Sequence, residues 1–403
     1  MQFKDVIGQS QVQQHLLEMV QHNRLSHALL FLGKEGSGAL PLALSFAQYV
    51  VCEKIQTKQK PIEASTSLFA FDEPLAIADS ALPIDSCGEC AACVKASKYI
   101  HPDIHFSYPV ITKKTGEKPV STDYIKEWRE FISLYPYGNV FDWLQFINAE
   151  NKQGNITAEE CNQIIHKLSL KSYESEYKIL LMWMPEYLGK EGNKLLKLIE
   201  EPPPNTLFIL VAENEELMLP TILSRCQLVK IPLLEQSAIE QALIERANAT
   251  PDSASQIAAI AEGNYREALQ LMQHAEEDWI SILSDWLKFT IRFMIPDQLK
   301  WIEEVNKLGR EKQKQLLLYF NHLLEQSIRL KVMSEHINLP PKEKDFAQRL
   351  SKIASVAQQQ VIIEELDKAI YYIERNANAK MLFHALTIKM YHIIQHKALI
   401  LTD

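Results

Sequence analysis

Residues 207–232, LFILVAENEELMLPTILSRCQLVKIP, decide the fold. Residues 207–212 form a continuous apolar run of strand length, the pattern of a strand covered on both faces. Glu213, Asn214, Glu215 and Glu216 break it. Pro220 then opens a short helical piece that ends on Ser224-Arg225-Cys226, and residues 227–231 are apolar and β-branched enough for a second strand. A buried strand, a polar loop, a short helix and another strand point to a parallel α/β sheet. They also fix an arginine at the rim of the sheet, where such folds place ligands.

Working outward, residues 178–184 (KILLMWM) read as another buried strand. Residues 192–201 read as a helix that buries Leu195, Leu196 and Ile199 and stops at Pro202-Pro203-Pro204. Residues 1–22 give a loop and an amphipathic helix with Val12, Leu16, Leu17 and Val20 on one face. Residues 27–32 (HALLFL) are a third strand. It runs into Gly33-Lys34-Glu35-Gly36-Ser37-Gly38-Ala39-Leu40 and a helix over about 41–52. Strand, glycine-rich turn and helix are the setting a phosphate loop requires.

That loop is damaged. In G-x-x-x-x-G-K-[ST] the lysine neutralises the β- and γ-phosphates and the hydroxyl holds Mg²⁺. Gly33 and Gly38 keep the separation, with Gly36 between them, but Ala39 stands in the lysine place and Leu40 in the hydroxyl place. Backbone amides can still form an anion nest; the plainer explanation is a glycine turn. Lys34 precedes the second and third glycines and is no evident substitute. In a nucleoside triphosphatase the strand beside the phosphate-loop strand ends in Asp-Glu. Here Trp183 and Met184 fill those places, and neither an indole nor a thioether ligates Mg²⁺. Glu186 is acidic but displaced.

Cys52 ends the helix after the loop. A polar stretch, 53–86, reads as a long surface loop. Cys87-Gly88-Glu89-Cys90-Ala91-Ala92-Cys93 follows, three thiols close enough to share one ion, with Cys52 as the fourth. Four thiolates suit tetrahedral Zn²⁺ in a closed structural site. A ferredoxin-type run fails because Ser97 occupies its fourth place. His101 and His105 are reserve ligands, and the plain alternative is idle thiols on a turn.

Residues 105–160 are aromatic and irregular, with Trp128, Tyr135, Tyr137, Phe141, Trp143 and Phe146 and a helix over about 122–134. Interleaved Lys114, Lys118 and Arg129 would allow base stacking; a satellite apolar cluster is the commoner explanation and the one favoured here. Thr157 with Glu160 makes a capping box for a helix to about 170. After Pro232 the pattern is all-helical. Segments 236–247, 254–262 and 265–274 form a small unit, with Gly263-Asn264-Tyr265-Arg266 at one turn. From Trp279 four or five amphipathic helices follow. Their stripes include Trp279, Ile282, Leu283 and Trp286; Leu316, Leu317, Phe320, Leu323 and Leu324; Val361, Ile362, Leu366 and Ile370; and Leu382, Phe383, Leu386 and Met390.

With 403 residues, 47% hydrophobic and 23% charged, the chain is long enough for two or three globular domains. A net charge of −9 argues against coating nucleic acid by bulk charge. No export signal or membrane span is expected, so the expected location is the cytoplasm, whose reducing conditions suit metal-binding rather than disulfide-bonded cysteines.

Several separated segments together resemble the AAA+ subunits of the bacterial DNA polymerase III clamp loader. They are KILLMWMPEYL, NKLLKLIEEPPPNTLFILVAEN and LMLPTILSRCQLVKIP, together with the cysteines at 52, 87, 90 and 93 and Asn376-Ala377-Asn378-Ala379-Lys380 before the last helix. The resemblance spans the chain, with 53–86 and 105–156 departing from it. It implies an α/β plus all-α protein. A RecA-like, degenerate AAA+ parallel-sheet domain would cover 1–233, with a zinc module over about 52–93 and an insertion over about 105–156. A helical lid (234–277) and a helical collar (278–403) would follow.

Loss of the lysine, the hydroxyl and the Asp-Glu pair, with Ala212 in place of a strand-end threonine and Ser224-Arg225-Cys226 retained, is similar to the delta-prime family within that group. That family implies a stator without a functional ATP site or intrinsic catalysis of its own. It would belong to the polymerase holoenzyme and its clamp-loader ATPase. Its Arg225 would reach, as an arginine finger in trans, the ATP of a neighbouring gamma/tau motor subunit, with Ser224 and Cys226 supporting the short helix. Delta would be a further partner, and the sliding clamp and primer-template DNA would be reached through the complex. Arg266 matches the family's second sensor position. Two other readings stay open on residues alone: an ATPase with an atypical site using Lys34 and Glu186, and a zinc-containing scaffold outside replication. An arginine merely paired with Glu213, Glu215 or Glu216 is the plain alternative to the finger.

Overall fold

The computed structural model describes residues 1–59, 82–112, 118–149, 152–273, 279–333, 341–375 and 377–396. The chain divides into two compact units, 1–269 and 270–403.

The first unit is built on five strands: β1 (Ala28–Gly33), β2 (Ile104–Ser107), β3 (Lys178–Trp183), β4 (Thr206–Ala212) and β5 (Gln227–Ile231). Their order is β2-β3-β4-β1-β5, and every pairing is parallel. The continuous apolar runs of β1, β3 and β4 follow from this position, because a central parallel strand is covered on both faces. Alternate residues separate cleanly. Leu29, Phe31, Ile179, Leu181, Trp183, Leu207, Ile209 and Val211 enter one core. Ala28, Leu30, Leu180, Met182, Phe208, Leu210 and Ala212 enter the other. Strand β5 lies at an edge and alternates exposed with buried residues toward its end.

One expectation needs correction. Strand β3 does not lie beside β1: β4 inserts between them, with Phe208 in register with Ala28 on one side and Leu180 on the other. Trp183 and Met184 therefore end the strand one place farther from the phosphate loop than the sequence reading has it.

The helix Ala39–Val51 is buried along its whole length, as a helix apolar all round must be. It packs on the core face that carries Phe31, Trp183 and Val211. The segment 53–86 is not one loop. Glu53–Gln59 is helical, started by the amides of Ile55 and Gln56 bonding the Cys52 carbonyl at 2.9 and 3.0 Å and anchored by buried Ile55. Residues 60–81 of that expected loop lie outside the described residues. The expected helix over 192–201 is α-helical only at Leu196–Glu200. Pro185–Leu195 before it is a 3-10 segment broken at Gly189, with φ 50° and ψ −141°.

The aromatic insertion is part of the main core rather than a satellite. Trp128, Phe131 and Trp143 are fully buried, and Trp128 stacks on Tyr108 at 4.0 Å and reaches Trp183 at 5.2 Å. Rings packed this way cannot receive bases. Arg129 is engaged by the Tyr99 carbonyl at 2.9 Å, and Lys114 lies outside the described residues. The edge strand β2, four residues long, is too short to be legible in an aromatic segment. Thr157 does cap the helix Ala158–Ser169, accepting from the Glu160 amide at 3.2 Å. The reciprocal half of the box is absent. Buried Glu160 instead accepts from the Ser121 amide at 2.7 Å and from the Ser121 hydroxyl, tying the insertion to that helix.

Helices Gln236–Ala247, Pro251–Ile260 and Tyr265–Gln273 follow the sheet. The second unit shows six further helices among the described residues, from Trp279–Ile291 to Ala379–His396, where four or five are expected. Its core is aromatic at one end. Trp286 stacks on Trp301 at 4.6 Å and donates from Nε1 to Thr387 Oγ1 at 2.9 Å. Leu316, Leu317, Phe320, Leu323 and Leu324 are fully buried. Asn376 lies outside the described residues. No described helix is long and apolar enough to cross a membrane.

Candidate functional site

The glycine turn after β1 lines a small cleft with Ala39, Leu40, Tyr137, Gly138, Trp183, Met184 and Glu213. Gly33, Gly36 and Gly38 all reach it. Ala39 and Leu40, in the lysine and hydroxyl places, are 8% and 4% exposed, so their side chains serve the core and offer no charge or hydroxyl to a phosphate. Lys34 is exposed and also lines the cleft, at the loop's second position rather than in the lysine place.

The glycines are needed by protein neighbours. Gly36 and Gly38 have φ of 71° and 89°, a region that favours glycine. A Cβ on Gly36 would run into the Asn264 carboxamide, and one on Gly38 would lie 3.1 Å from the Tyr137 ring. Tyr137 is buried and accepts from the Ile7 amide at 2.8 Å, and burial pushes its phenol up to about 12.

Arg266 lies beside this turn, with only 4% of its side chain exposed. It does not stand open to a nucleotide. Nε and Nη2 grip Asp142 at 2.6 and 2.7 Å, and Nη1 donates to Glu35 at 2.9 Å. A two-pronged guanidinium–carboxylate pair of this kind is strong and directional.

Glu186 is also committed. Its Oε1 accepts from the amides of Glu213 and Asn214 at 2.6 and 2.9 Å, stitching the end of β3 to the end of β4. Burial raises its pKa, against those bonds. It is not among the residues lining the cleft.

Arg225 sits just past the short helix Pro220–Leu223, at the start of β5. It is not among the residues lining the cleft. Its side chain, 33% exposed, pairs with Glu200 of the Glu-Glu-Pro-Pro motif, and Nη1 donates to the Thr221 carbonyl at 2.8 Å and to Ser224 Oγ at 3.1 Å. The pairing expected from sequence, with Glu213, Glu215 or Glu216, is replaced by Glu200. The backbone turn that carries the arginine is set by the Ser224 and Arg225 amides bonding Pro220 and Ile222. Cys226 is half-buried against the second core face, and burial pushes its thiol up to about 11, which suits packing rather than reaction.

The sulfurs of Cys52, Cys87, Cys90 and Cys93 all lie within 4.8 Å of one another. Cys87 and Cys93 are 3.8 Å apart. With metal–sulfur bonds of about 2.3 Å, a tetrahedral site has sulfur–sulfur edges of about 3.8 Å, so the cluster fits a small tetrahedral cation. The backbone is arranged for sulfur with negative charge: amides of Cys87, Cys90 and Cys93 point at Cys52, Cys87 and Cys90 at 3.5, 3.3 and 3.4 Å. Cys52 and Cys93 are fully buried. His101 stays outside the cluster; its Nδ1 accepts from the Asp103 amide at 3.1 Å, and Nε2 faces Glu174 at 3.3 Å. His105 lies on β2, also outside it.

The residues that sequence reasoning missed are Glu200, Tyr137, Asp142 and Glu35. Glu200 stood in a motif already singled out, but its partner lies 25 positions away. Nothing in the local pattern around Tyr137 signals contact with Ile7, 130 positions earlier.

The sequence model described as "DNA polymerase III, delta subunit" matches residues 8–76 and 75–235. The delta' subunit of DNA polymerase III from Bacillus subtilis is 26% identical over 268 residues, 66% of this chain and 60% of its own length. The tau subunit from the same organism is 26% identical over 292 residues, 71% of this chain and 39% of its own. The delta' subunit of Pseudomonas aeruginosa is 25% identical over 209 residues, 52% and 44%. The chain thus spans less than two thirds of the length of these curated relatives. The family match covers more than half of the chain, and it agrees with the Ser-Arg-Cys turn, the Glu-Glu-Pro-Pro helix end and the four-cysteine cluster. This chain belongs to the delta-prime family of DNA polymerase III clamp-loader subunits.

Proposed function

We propose that this chain is the non-hydrolysing stator of a clamp loader, and that Arg225 acts as an arginine finger in trans on ATP held by an adjacent gamma/tau-type motor subunit. The observation that carries this reading is the contrast between two sites in one unit. The cleft at the phosphate loop is lined by Ala39 and Leu40, in the lysine and hydroxyl places, and by Tyr137, whereas Arg225 is at the surface on a fixed turn, away from that cleft's lining.

The energetics favour transfer of the guanidinium to a phosphate. A half-exposed pair such as Arg225–Glu200 is worth about 0–1 kcal/mol. An arginine finger is worth about 10³–10⁵ in rate, or roughly 4–7 kcal/mol of barrier. Release from Glu200 is therefore a minor cost against what the arginine supplies at a triphosphate. Ser224 and Cys226 hold the turn and do not react.

The four cysteines would hold Zn²⁺ as a structural ion, fastening the helix Ala39–Val51 to the turn at 87–93. The delta subunit is the expected second neighbour. The sliding clamp and primer-template DNA would be reached through the assembled complex in the cytoplasm.

Pull-down against motor and delta subunits, followed by reconstitution with Arg225→Ala, tests the assignment. Failure to enter the complex sinks the stator role; entry with unchanged ATP hydrolysis sinks the finger.

A further inference from the structure

The segment around Tyr137, unexplained by the family pattern, forms one wall of the cleft beside the degenerate phosphate loop. Four contacts join it to the phosphate loop and to the helices after the sheet. Tyr137 lies against Gly38 and meets the Tyr265 ring edge-on at 5.0 Å. Asn139 Nδ2 donates to Glu35 Oε2 at 2.9 Å. Asp142 accepts from Nε and Nη2 of Arg266 with its two oxygens, and Arg266 Nη1 also donates to Glu35. The backbone closes the circle, with the Tyr265 amide bonding the Gly36 carbonyl at 3.3 Å.

Glu35 belongs to the loop, Asp142 to the insertion and Arg266 to the helix Tyr265–Gln273. One buried cation therefore ties three separated parts of the unit together. An arginine aimed at this loop would suit a phosphate anion; here a carboxylate of the chain itself supplies the negative charge.

We propose that Tyr137, Asn139 and Asp142 form an internal ligand of the degenerate phosphate loop. It clamps the helices around Tyr265 to the sheet, so that this chain keeps one conformation whether or not ATP is present. The proposal deepens the stator reading, resting on its premise that the loop binds no nucleotide of its own. It assigns a role to the insertion, which would do permanently what a bound ligand does only while it is there.

Hydrogen exchange on the full chain tests it. Asp142→Asn keeps the shape but removes the charge that holds Arg266. The expected result is at least tenfold faster exchange at amides of 34–42 and 265–269, with strand β4 and the helices after 279 unchanged. No change in those two segments, or a uniform rise across residues 1–269, overturns the clamp. If Asp142→Asn does not fold, Glu35→Gln removes only the outer partner and is expected to give the same pattern at about threefold; its absence overturns the proposal equally. Millimolar Mg²⁺–ATP added to the unmodified chain separates the two claims. Protection of 34–42 by ATP would refute the nucleotide-free reading, whereas the variant pattern decides the clamp.

Discussion

Restoring acid at the end of β3 shows whether this domain has an idle nucleotide site or a refilled core. Trp183 stands where an Mg²⁺-binding acid would be expected, but it is 2% exposed and packs on Trp128 and Phe131 with ring centres at 5.2 and 6.1 Å. Trp183→Asp removes a large buried ring, which by itself costs about 3–5 kcal/mol. It also leaves a carboxylate among apolar rings, where the desolvation of an unpaired ion adds several kcal/mol more. The sum is on the order of the whole stability of an ordinary domain, about 5–15 kcal/mol. The variant is expected to lose cooperative folding of the first unit and to gain no ATP hydrolysis.

Trp183→Phe is the control. It keeps the apolar contact and is expected to cost a few kcal/mol at most, a shift of roughly 2–4 °C per kcal/mol in a unit of this size. Thermal and urea unfolding followed by near- and far-ultraviolet circular dichroism reads both. If Trp183→Asp folds within about 1 kcal/mol of the parent, the site is open and the reasoning fails.

Other consequences are equally direct. Chain purified without chelator should carry one zinc per molecule by elemental analysis, and Cys93→Ser should carry markedly less; a metal-free chain of full stability would refute the metal reading. Glu200→Gln should change stability by less than about 1 kcal/mol, since the pair it breaks is half-exposed; a loss above 2 kcal/mol in thermal melts would show that the pair is structural. Burial lowers the pKa of His322 in the second unit to about 4 from 6.5. A histidine with a depressed folded-state value stabilises above its unfolded pKa and loses that stability as pH falls toward the folded value. Acidification from pH 8 to pH 5 should therefore cost on the order of 2 kcal/mol through this group, and His322→Gln should flatten that slope in melts run across this range.

The parts of the fold legible in sequence are those whose physics is local. Leu207–Ala212 shows itself because a doubly covered parallel strand has no polar positions, and Gly33 to Gly38 because a strand-to-helix turn needs glycine. The four cysteines show themselves by chemistry and spacing. What stayed hidden depends on long-range pairing. Insertion of β4 between β1 and β3 is a matter of topology, not pattern. The capping box at Thr157 is only half made because Glu160 finds Ser121, 39 positions away. Arg266 reads as a sensor in its turn, but its partners Asp142 and Glu35 lie 124 and 231 positions away. The aromatic insertion looks like a satellite because its core partner, Trp183, belongs to a strand that follows it in the chain.

The central claim is that Arg225 serves a phosphate on another subunit. It is tested most directly by single-turnover ATP hydrolysis in a reconstituted loader where only the motor site facing this chain is competent. Arg225→Ala should enter the complex and bind clamp and ATP normally, yet slow hydrolysis at that site by about 10³-fold or more. Hydrolysis within twofold of the unmodified complex would contradict the account.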